Sequence, residues 1–556
     1  MTDWLPGQVQ RVSTLVAKFN CGENLDGSMI NFMRNLWAPV ISSCGCYFFL
    51  LFAQPPNQSP ECAYFFLLPA IWWFSHRPKI KIVMLSFLLA GFLYHISLVG
   101  WMRHVTMGGM FGACLLLSIY QLPWFFMARI LVPYSIAGGF KARIITIVCL
   151  SCTWVAIEWL RCQFTLGFPW CPLSVTQWER PILLQTAQWL GGWVVSFFLI
   201  FFNLCLGSYV HHLLVRRRQS SSGIFGNICP DFYLAILLFV FMLSPFFLFN
   251  KAGNEKKHRF DVGVCQPYLL DKWKGGGAAL HKDILSRQTS ILGLMKPDLI
   301  VWPEASTPYA LNKDPVWVEA LAQKTSVPLL LGAVLKEKES IYNTISEVLP
   351  RSGFENNWYA KRVLVPFGEY IPFPFKFVPG LRKMVGPVGS FKKGEDVNIF
   401  SMPTSEPGAG PVKIGPLICY EDIFPSLCID VAREGVDLFF VTTNDAWFGE
   451  EGCAEQHAAH SVLRAVETQI PFLRCGNSGW SGWIDSKGYK REVLRDGNGS
   501  IYCARATVMN LGLTLNHQRN KSFYVQKGDF FAYLCAFVTL MSFVGIKTKR
   551  NYYRCI

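Results

Sequence analysis

Three residues in separate parts of a 556-residue chain are of types that can do covalent chemistry together. Cys419 closes an apolar run in KIGPLICYEDIFP (413–425) and is followed at once by Tyr420, Glu421 and Asp422. Glu304 follows the run LIVWP, and Lys361 lies inside NNWYAKRVLVPFGEY. Singly, each has an ordinary explanation: a capping carboxylate, a surface charge, a small buried thiol. Together they describe a mechanism. A cysteine at a strand-to-helix corner sits near a helix N-terminus, whose partial positive charge favours thiolate. A carboxylate whose pKa is raised by burial can take the thiol proton, and later that of an incoming nucleophile. A lysine ammonium is a fixed donor to the oxyanion of a tetrahedral intermediate. The set therefore points to acyl transfer through a covalent intermediate, without histidine.

None of the ten histidines has triad context. His457 and His460, three apart on one helical face, read as packing or hydrogen-bonding residues rather than metal ligands. There is no zinc-type cysteine spacing and no phosphate loop, so neither metal nor cofactor is expected. GGG at 275–277 lacks the flanking strand and helix of a nucleotide loop.

The elements that must position these residues lie between 251 and 527. RFDVGVCQP, PDLIVWPEA, VPLLLGAVL, KIGPLICYE and DLFFVTTND are short buried-strand runs closing on Pro, Asn or an acidic residue. HKDILSRQTSILGLMK and EQHAAHSVLRAVETQ have helical spacing. Strands that end in polar residues and feed helices predict an α/β domain with its chemistry at the strand ends.

The rest of the chain is a different medium. With 51% hydrophobic and 16% charged residues, it is too apolar for a soluble protein of this length. Runs near the length needed to cross a ~30 Å hydrocarbon core occur at 36–53, 62–75, 81–101, 109–132, 143–161, 190–213, 230–250 and 528–546. They predict eight spans: a cytoplasmic leader at 1–35, seven spans within 36–250, the α/β domain at 251–527, an eighth span at 528–546 and a cytoplasmic tail at 547–556. Alternate connections carry the basic residues: Arg77, Lys79 and Lys81; Arg129, Lys141 and Arg143; Arg216, Arg217 and Arg218; then Lys547, Lys549, Arg550 and Arg554. By the positive-inside rule both termini are cytoplasmic and 251–527 faces outward, the periplasm of a two-membrane bacterium. The net charge of +15 then marks cytoplasmic loops rather than a nucleic-acid surface. Glu158 and Arg161, three apart near the end of the fifth span, read as an internal ion pair or a headgroup site.

At these motifs the sequence resembles the nitrilase, or carbon–nitrogen hydrolase, superfamily, whose Glu-Lys-Cys triad has this order. WPEASTP, YAKRVLVPFGEYIPF, ICYE, TNDAWFG (443–449), CQPYLLDKW (265–273) and GFPW (167–170) are similar to its apolipoprotein N-acyltransferase branch. The resemblance implies an αββα sandwich on a polytopic helical membrane domain. It implies a phospholipid acyl donor, a diacylglyceryl-apolipoprotein acceptor, and Glu304, Lys361 and Cys419 as the triad. It also implies that Glu369 orients Lys361, that Glu421 buttresses the cysteine corner with Tyr420, and that Trp273 and Trp447 are pocket wall. GNSGW at 476–480 and the insert SEPGAG at 405–410 depart from the branch pattern. The stretch 370–389 reads either as a lipid-facing interface or as an ordinary loop. A membrane-anchored amidase using water as acceptor shares the triad. A polytopic scaffold with a dead domain is the reading from another class. Disulfide pairing among Cys265, Cys428, Cys453, Cys475 and Cys503 is left open.

Overall fold

The computed structural model describes residues 27–163, 167–216, 229–249, 257–269, 277–371, 373, 377, 391–515 and 521–552. Most of the leader, most of the 216–223 connection, Trp273 and most of 370–389 lie outside them. Eight membrane-region helices are described: α1 Gly27–Ala53, α2 Leu68–Ser75, α3 Ile80–Val99, α4 Met107–Ala137, α5 Phe140–Gln163, α6 Gly192–Arg216, α7 Pro230–Phe249 and a last one, Phe530–Tyr552. α3 to α6 are each long and apolar enough to cross a membrane. α1, α7 and Phe530–Tyr552 contain shorter apolar segments. The second expected span differs. It gives one 3₁₀ turn, Pro60–Tyr64, and then the eight-residue α2, which rises only about 12 Å. Pro69 stands in the first turn of α2, where its missing N–H leaves no helical bond unmade. α1 begins at Gly27, inside the expected leader, because hydrophobicity marks where a run turns apolar and not where a helix starts.

The α/β region folds as two six-stranded sheets, ordered β12-β1-β2-β3-β4-β5 and β11-β10-β9-β8-β7-β6. The strands of the first are β1 His258–Gln266, β2 Leu299–Trp302, β3 Leu329–Glu337, β4 Ser340–Leu349, β5 Gly353–Ala360 and β12 Arg505–Leu513. Those of the second are β6 Phe400–Met402, β7 Val412–Ile418, β8 Leu438–Thr443, β9 Phe472–Gly476, β10 Gly482–Ile484 and β11 Lys490–Val493. β1, β2 and β3 run parallel, as do β7, β8 and β9. The sheets face each other, with β2 on β9, β3 on β8 and β4 on β7. α8 Gly277–Leu294 and α9 Val316–Thr325 cover the first sheet; α10 Pro425–Arg433 and α11 Cys453–Thr468 cover the second. This is an αββα sandwich. The five expected strands and both helices are present. The β4–β5 hairpin has no apolar-run signature, because Asn343, Thr344, Ser346 and Glu347 are buried polar residues within β4.

The sandwich is packed onto the bundle. One continuous apolar core runs from Trp124 and Phe125 of α4 through Val175 to Leu463 of α11 and Phe439 of β8. A second core lies between the first sheet and its helices, around Trp302, Leu285 and Leu331. The last helix, α12 Phe530–Tyr552, returns against α5 through Cys152, Ala532 and Cys535. The expected Glu158–Arg161 ion pair is not formed. Glu158 Oε1 instead accepts from Trp154 Nε1 at 3.0 Å and from Leu173 N–H at 2.7 Å, while Arg161 Nε has no hydrogen-bond partner. Local donors from α5 and from the segment after it reach the carboxylate first. All the described cysteines are free thiols.

Gly332 of β3 sits directly beneath the Glu304 turn. A Cβ there would lie 2.4 Å from Pro303 O and 2.6 Å from Glu304 Cα, both backbone atoms that cannot swing away. Gly332→Ala should therefore cost about 1–3 kcal/mol of stability, read as a lowered Tm in detergent. An unchanged Tm would contradict this packing.

Candidate active site

Three strand ends from the two sheets carry the candidate reactive residues. Glu304 comes two residues after β2, Lys361 directly after β5, and Cys419 directly after β7. All three are buried, Lys361 with only 1% of its surface exposed. A bare ammonium there would carry a large desolvation cost. It is met by two carboxylates: Lys361 Nζ lies 2.9 Å from Glu369 Oε1 and 3.4 Å from Glu304 Oε1. Burial pulls the Lys361 pKa down, but Glu369, Glu304 and Cys419 outweigh it and hold the ammonium above the usual lysine range. Asn343 Nδ2 donates to both carboxylates, at 2.7 Å to Glu304 and 3.0 Å to Glu369. Val365 N–H fixes the other oxygen of Glu369 at 2.8 Å. Sequence reasoning misses Asn343, since a polar residue in a polar-lined strand gives no apolar signal.

Cys419 has φ +50°, a left-handed conformation that costs a non-glycine residue about 1–3 kcal/mol. It opens a single 3₁₀ turn, Cys419–Ile423, and α10 begins only at Pro425. The expected helix N-terminus is thus six residues away, and Lys361 supplies positive charge to the thiol instead. Burial and the Glu304 carboxylate push the Cys419 pKa well above the ordinary thiol value, against the pull of Lys361. The resting group is a thiol that needs a base.

Two acidic residues lock the corner. Glu421 is fully buried and accepts from Ile418 N–H and Tyr359 Oη at 2.8 Å each, and from the N–H groups of Arg362 and Val363. It ties the ends of β5 and β7 together. Asp422 accepts from His457 Nε2 at 2.9 Å, from Ser461 and from Arg474. His457 Nδ1 bonds Asp445 at 3.0 Å, and Nε2 also lies 3.1 Å from the Cys419 carbonyl. Tyr420 points elsewhere: its hydroxyl donates to Gly167 O at 3.0 Å, and its ring stacks on Phe168. Trp447 is half-exposed on the turn Asp445–Phe448, and Trp273 lies outside the described residues. The sequence signals TNDAWFG as a motif, but not that Asp445 and Asp422 flank one histidine.

His457, Asp445 and Cys419 offer ligand atoms within 4.8 Å of one another. Both ring nitrogens of His457 are already spent on carboxylates, however. Burial lowers its pKa, yet Asp422 and Asp445 overcome burial and Arg474 to hold it up at about 9. With both ring nitrogens bonded to carboxylates, the cluster as it stands is a charged hydrogen-bond network. Burial pushes Asp422 and Asp445 upward, yet His457 above all holds both below the usual carboxylate range. For His457, a folded pKa of about 9 against an ordinary 6.5 means stabilisation that is complete below pH 6.5 and lost as pH rises through about 9. Tm should fall across that interval, and His457→Gln should flatten the slope. A wild-type Tm that is level from pH 6.5 to 9 would contradict the assignment.

A family model described as the apolipoprotein N-acyltransferase N-terminal domain matches residues 48–205, and a carbon-nitrogen hydrolase model matches 263–507. The apolipoprotein N-acyltransferase of Geobacter metallireducens is 27% identical over 478 residues, covering 80% of this chain and 82% of its own. Apolipoprotein N-acyltransferase 1 of Treponema denticola is 27% identical over 530 residues, covering 87% and 91%. That of Rhizobium leguminosarum bv. trifolii is 30% identical over 429 residues, covering 72% and 75%. These alignments are too long to fit within the sandwich alone. With a bundle and an αββα sandwich matched in one chain, this protein belongs to the apolipoprotein N-acyltransferase family.

Proposed function

We propose that the protein moves an acyl chain from a membrane phospholipid to the α-amino group of a lipoprotein's N-terminal S-diacylglyceryl cysteine, through a thioester on Cys419. The observation that carries this is Cys419 on its left-handed corner, beside a buried Lys361 braced by Glu304 and Glu369, on a domain fused to a membrane bundle. Glu304 takes the thiol proton as sulfur attacks the donor ester carbonyl. Lys361 stabilises the resulting oxyanion. The C–O bond breaks, Glu304 returns the proton to the leaving alkoxide, and lysophospholipid departs. The acceptor amine then attacks the thioester, Glu304 takes its proton, and collapse of the second oxyanion expels the thiolate, which recovers that proton. Thiolate leaves from an amine adduct far more readily than alkoxide, so the covalent detour eases the second half. Order is ping-pong.

The orientation expected from charge has structural support. Arg103 and His104 pair with Glu451, and Trp101 and Trp170 bond Gln456, so the α3–α4 and α5–α6 connections meet the sandwich. At the other end of the bundle Arg129 bonds Pro78 O, Arg77 lies over Tyr134, and Arg143 pairs with Asp231. Apart from Arg103 and His104, these basic residues lie away from the sandwich, which fits a cytoplasmic face there and a periplasmic catalytic domain on the inner membrane. Phe373 and Phe377, both strongly exposed in the 370–389 stretch, suit a lipid-facing entrance.

Single-turnover release of lysophospholipid tests the chemistry. Cys419→Ala and Glu304→Gln should release none, and Lys361→Arg only a trace, because it keeps charge without geometry. Loss of one oxyanion donor commonly costs about 10²–10³ in rate. Glu369→Gln should slow release in a protein that still folds. Release by Cys419→Ala would overturn the mechanism. Impermeant thiol labelling of Ser405→Cys, an exposed position of the sandwich, in a variant otherwise free of reactive thiols, should succeed in intact spheroplasts; protection there would overturn the orientation.

A further inference from the structure

The segment Gly167–Gln177 connects the bundle to the catalytic corner, and it is held from both sides. On the membrane side Glu158 Oε1 accepts from Leu173 N–H at 2.7 Å, and Gln54 Nε2 donates to Cys171 O at 3.3 Å. On the catalytic side Tyr420 Oη donates to Gly167 O, Trp170 Nε1 donates to Gln456 Oε1 at 2.8 Å, and Cys171 N–H donates to His460 Nε2 at 3.2 Å. Phe168 stacks on Tyr420, and Trp170 packs its ring 5.7 Å from that of His457. Hydrogen bonds and ring contacts thus run through Gly167–Leu173 to Tyr420, which adjoins Cys419, and to His457, which bonds the Cys419 carbonyl.

Glu158 also lines a mainly apolar cavity between α1, α3, α4 and α5, with Arg161, Gln54 and Trp170. Its water-accessible volume of about 30 Å³ admits about two water molecules. Glu158 itself is buried, and its bonds run to Trp154 and Leu173. The residue is then a buried intramembrane carboxylate, costly to keep, whose Oε1 grips the connecting segment and whose Oε2 has no hydrogen-bond partner. We propose that Glu158 is a positioning residue for Cys419, acting through Gly167–Leu173: it fixes the segment whose other end holds Tyr420 and His457, and so sets where the thiol meets the donor ester. The proposal rests on Cys419 being the nucleophile.

The partners of Glu158 dictate the test. Glu158→Gln keeps the accepting oxygen and alters only the atom that bonds nothing, whereas Glu158→Leu removes the acceptor. Thioester formation on Cys419 in detergent–phospholipid micelles should slow at least tenfold in Glu158→Leu, since a misplacement of about 1 Å at a reacting centre costs up to ~10²-fold. KM for phospholipid should stay within about twofold, and Glu158→Gln should restore the rate. Tyr420→Phe releases the far end of the same segment, so its loss and that of Glu158→Leu should combine to less than their product. If Glu158→Leu does not fold, Gln54→Leu, which frees Cys171 O, carries the same expectation. A wild-type rate in Glu158→Leu, a Glu158→Gln as slow as Glu158→Leu, or losses that multiply would each overturn the proposal. Absence of any thioester in the unaltered protein would instead overturn the Cys419 assignment.

Discussion

A lysine ammonium removed from water is the constraint around which this catalytic domain is arranged. Burying Lys361 without partners would cost several kcal/mol, and its neighbours are accordingly two carboxylates, at 2.9 and 3.4 Å, not one. Meeting that requirement needs β2 to deliver Glu304, β5 to deliver Lys361, β4 to present Asn343, and the 365–370 turn to bring back Glu369. No local segment can do this. The first sheet exists in this register because only a sheet brings those residues to one point.

The same balance explains the state of the thiol. Burial first, and then the Glu304 carboxylate, outweigh the pull of Lys361 on Cys419, so the thiol holds its proton until a base removes it. On the proposed mechanism a standing thiolate would be open to any electrophile that reached it, whereas a thiol is spent only when an ester carbonyl and the base are both in place. Specificity then depends on placement, and placement is where the second sheet and the bundle enter. Glu421 ties the cysteine corner to β5, Asp422 ties it to α11, and Tyr420 ties it to the segment leaving α5. Each of the three residues after Cys419 anchors it to a different body.

Much of this is legible in the sequence, for reasons that differ residue by residue. Glu304 and Cys419 stand out because each closes a short apolar run, which is how a buried strand ends at a site. Lys361 stands out only through its motif context. Asn343 is invisible because its strand carries buried polar residues, and hydrophobic patterning cannot separate those from a loop. The helix dipole expected at Cys419 is displaced because a 3₁₀ turn follows the cysteine and α10 starts only at Pro425, a residue favoured at the first helical position. The i, i+3 spacing of Glu158 and Arg161 suggests a pair, but spacing cannot foresee that an indole and a backbone N–H from a later segment claim the carboxylate. The charge network as a whole is not readable, because its members lie on separate elements far apart in the chain and meet only through the sandwich.

The central claim is that one buried thiol carries the acyl group between two lipids. Intact-mass analysis of the purified protein, first with phospholipid alone and then after adding a diacylglyceryl lipopeptide, tests it most directly. The account predicts a single acyl adduct, mapped to Cys419 and labile to hydroxylamine, that forms without acceptor and disappears as the lipopeptide gains the same mass. Transfer to the lipopeptide with no adduct at any time, or an adduct on another residue, would contradict it.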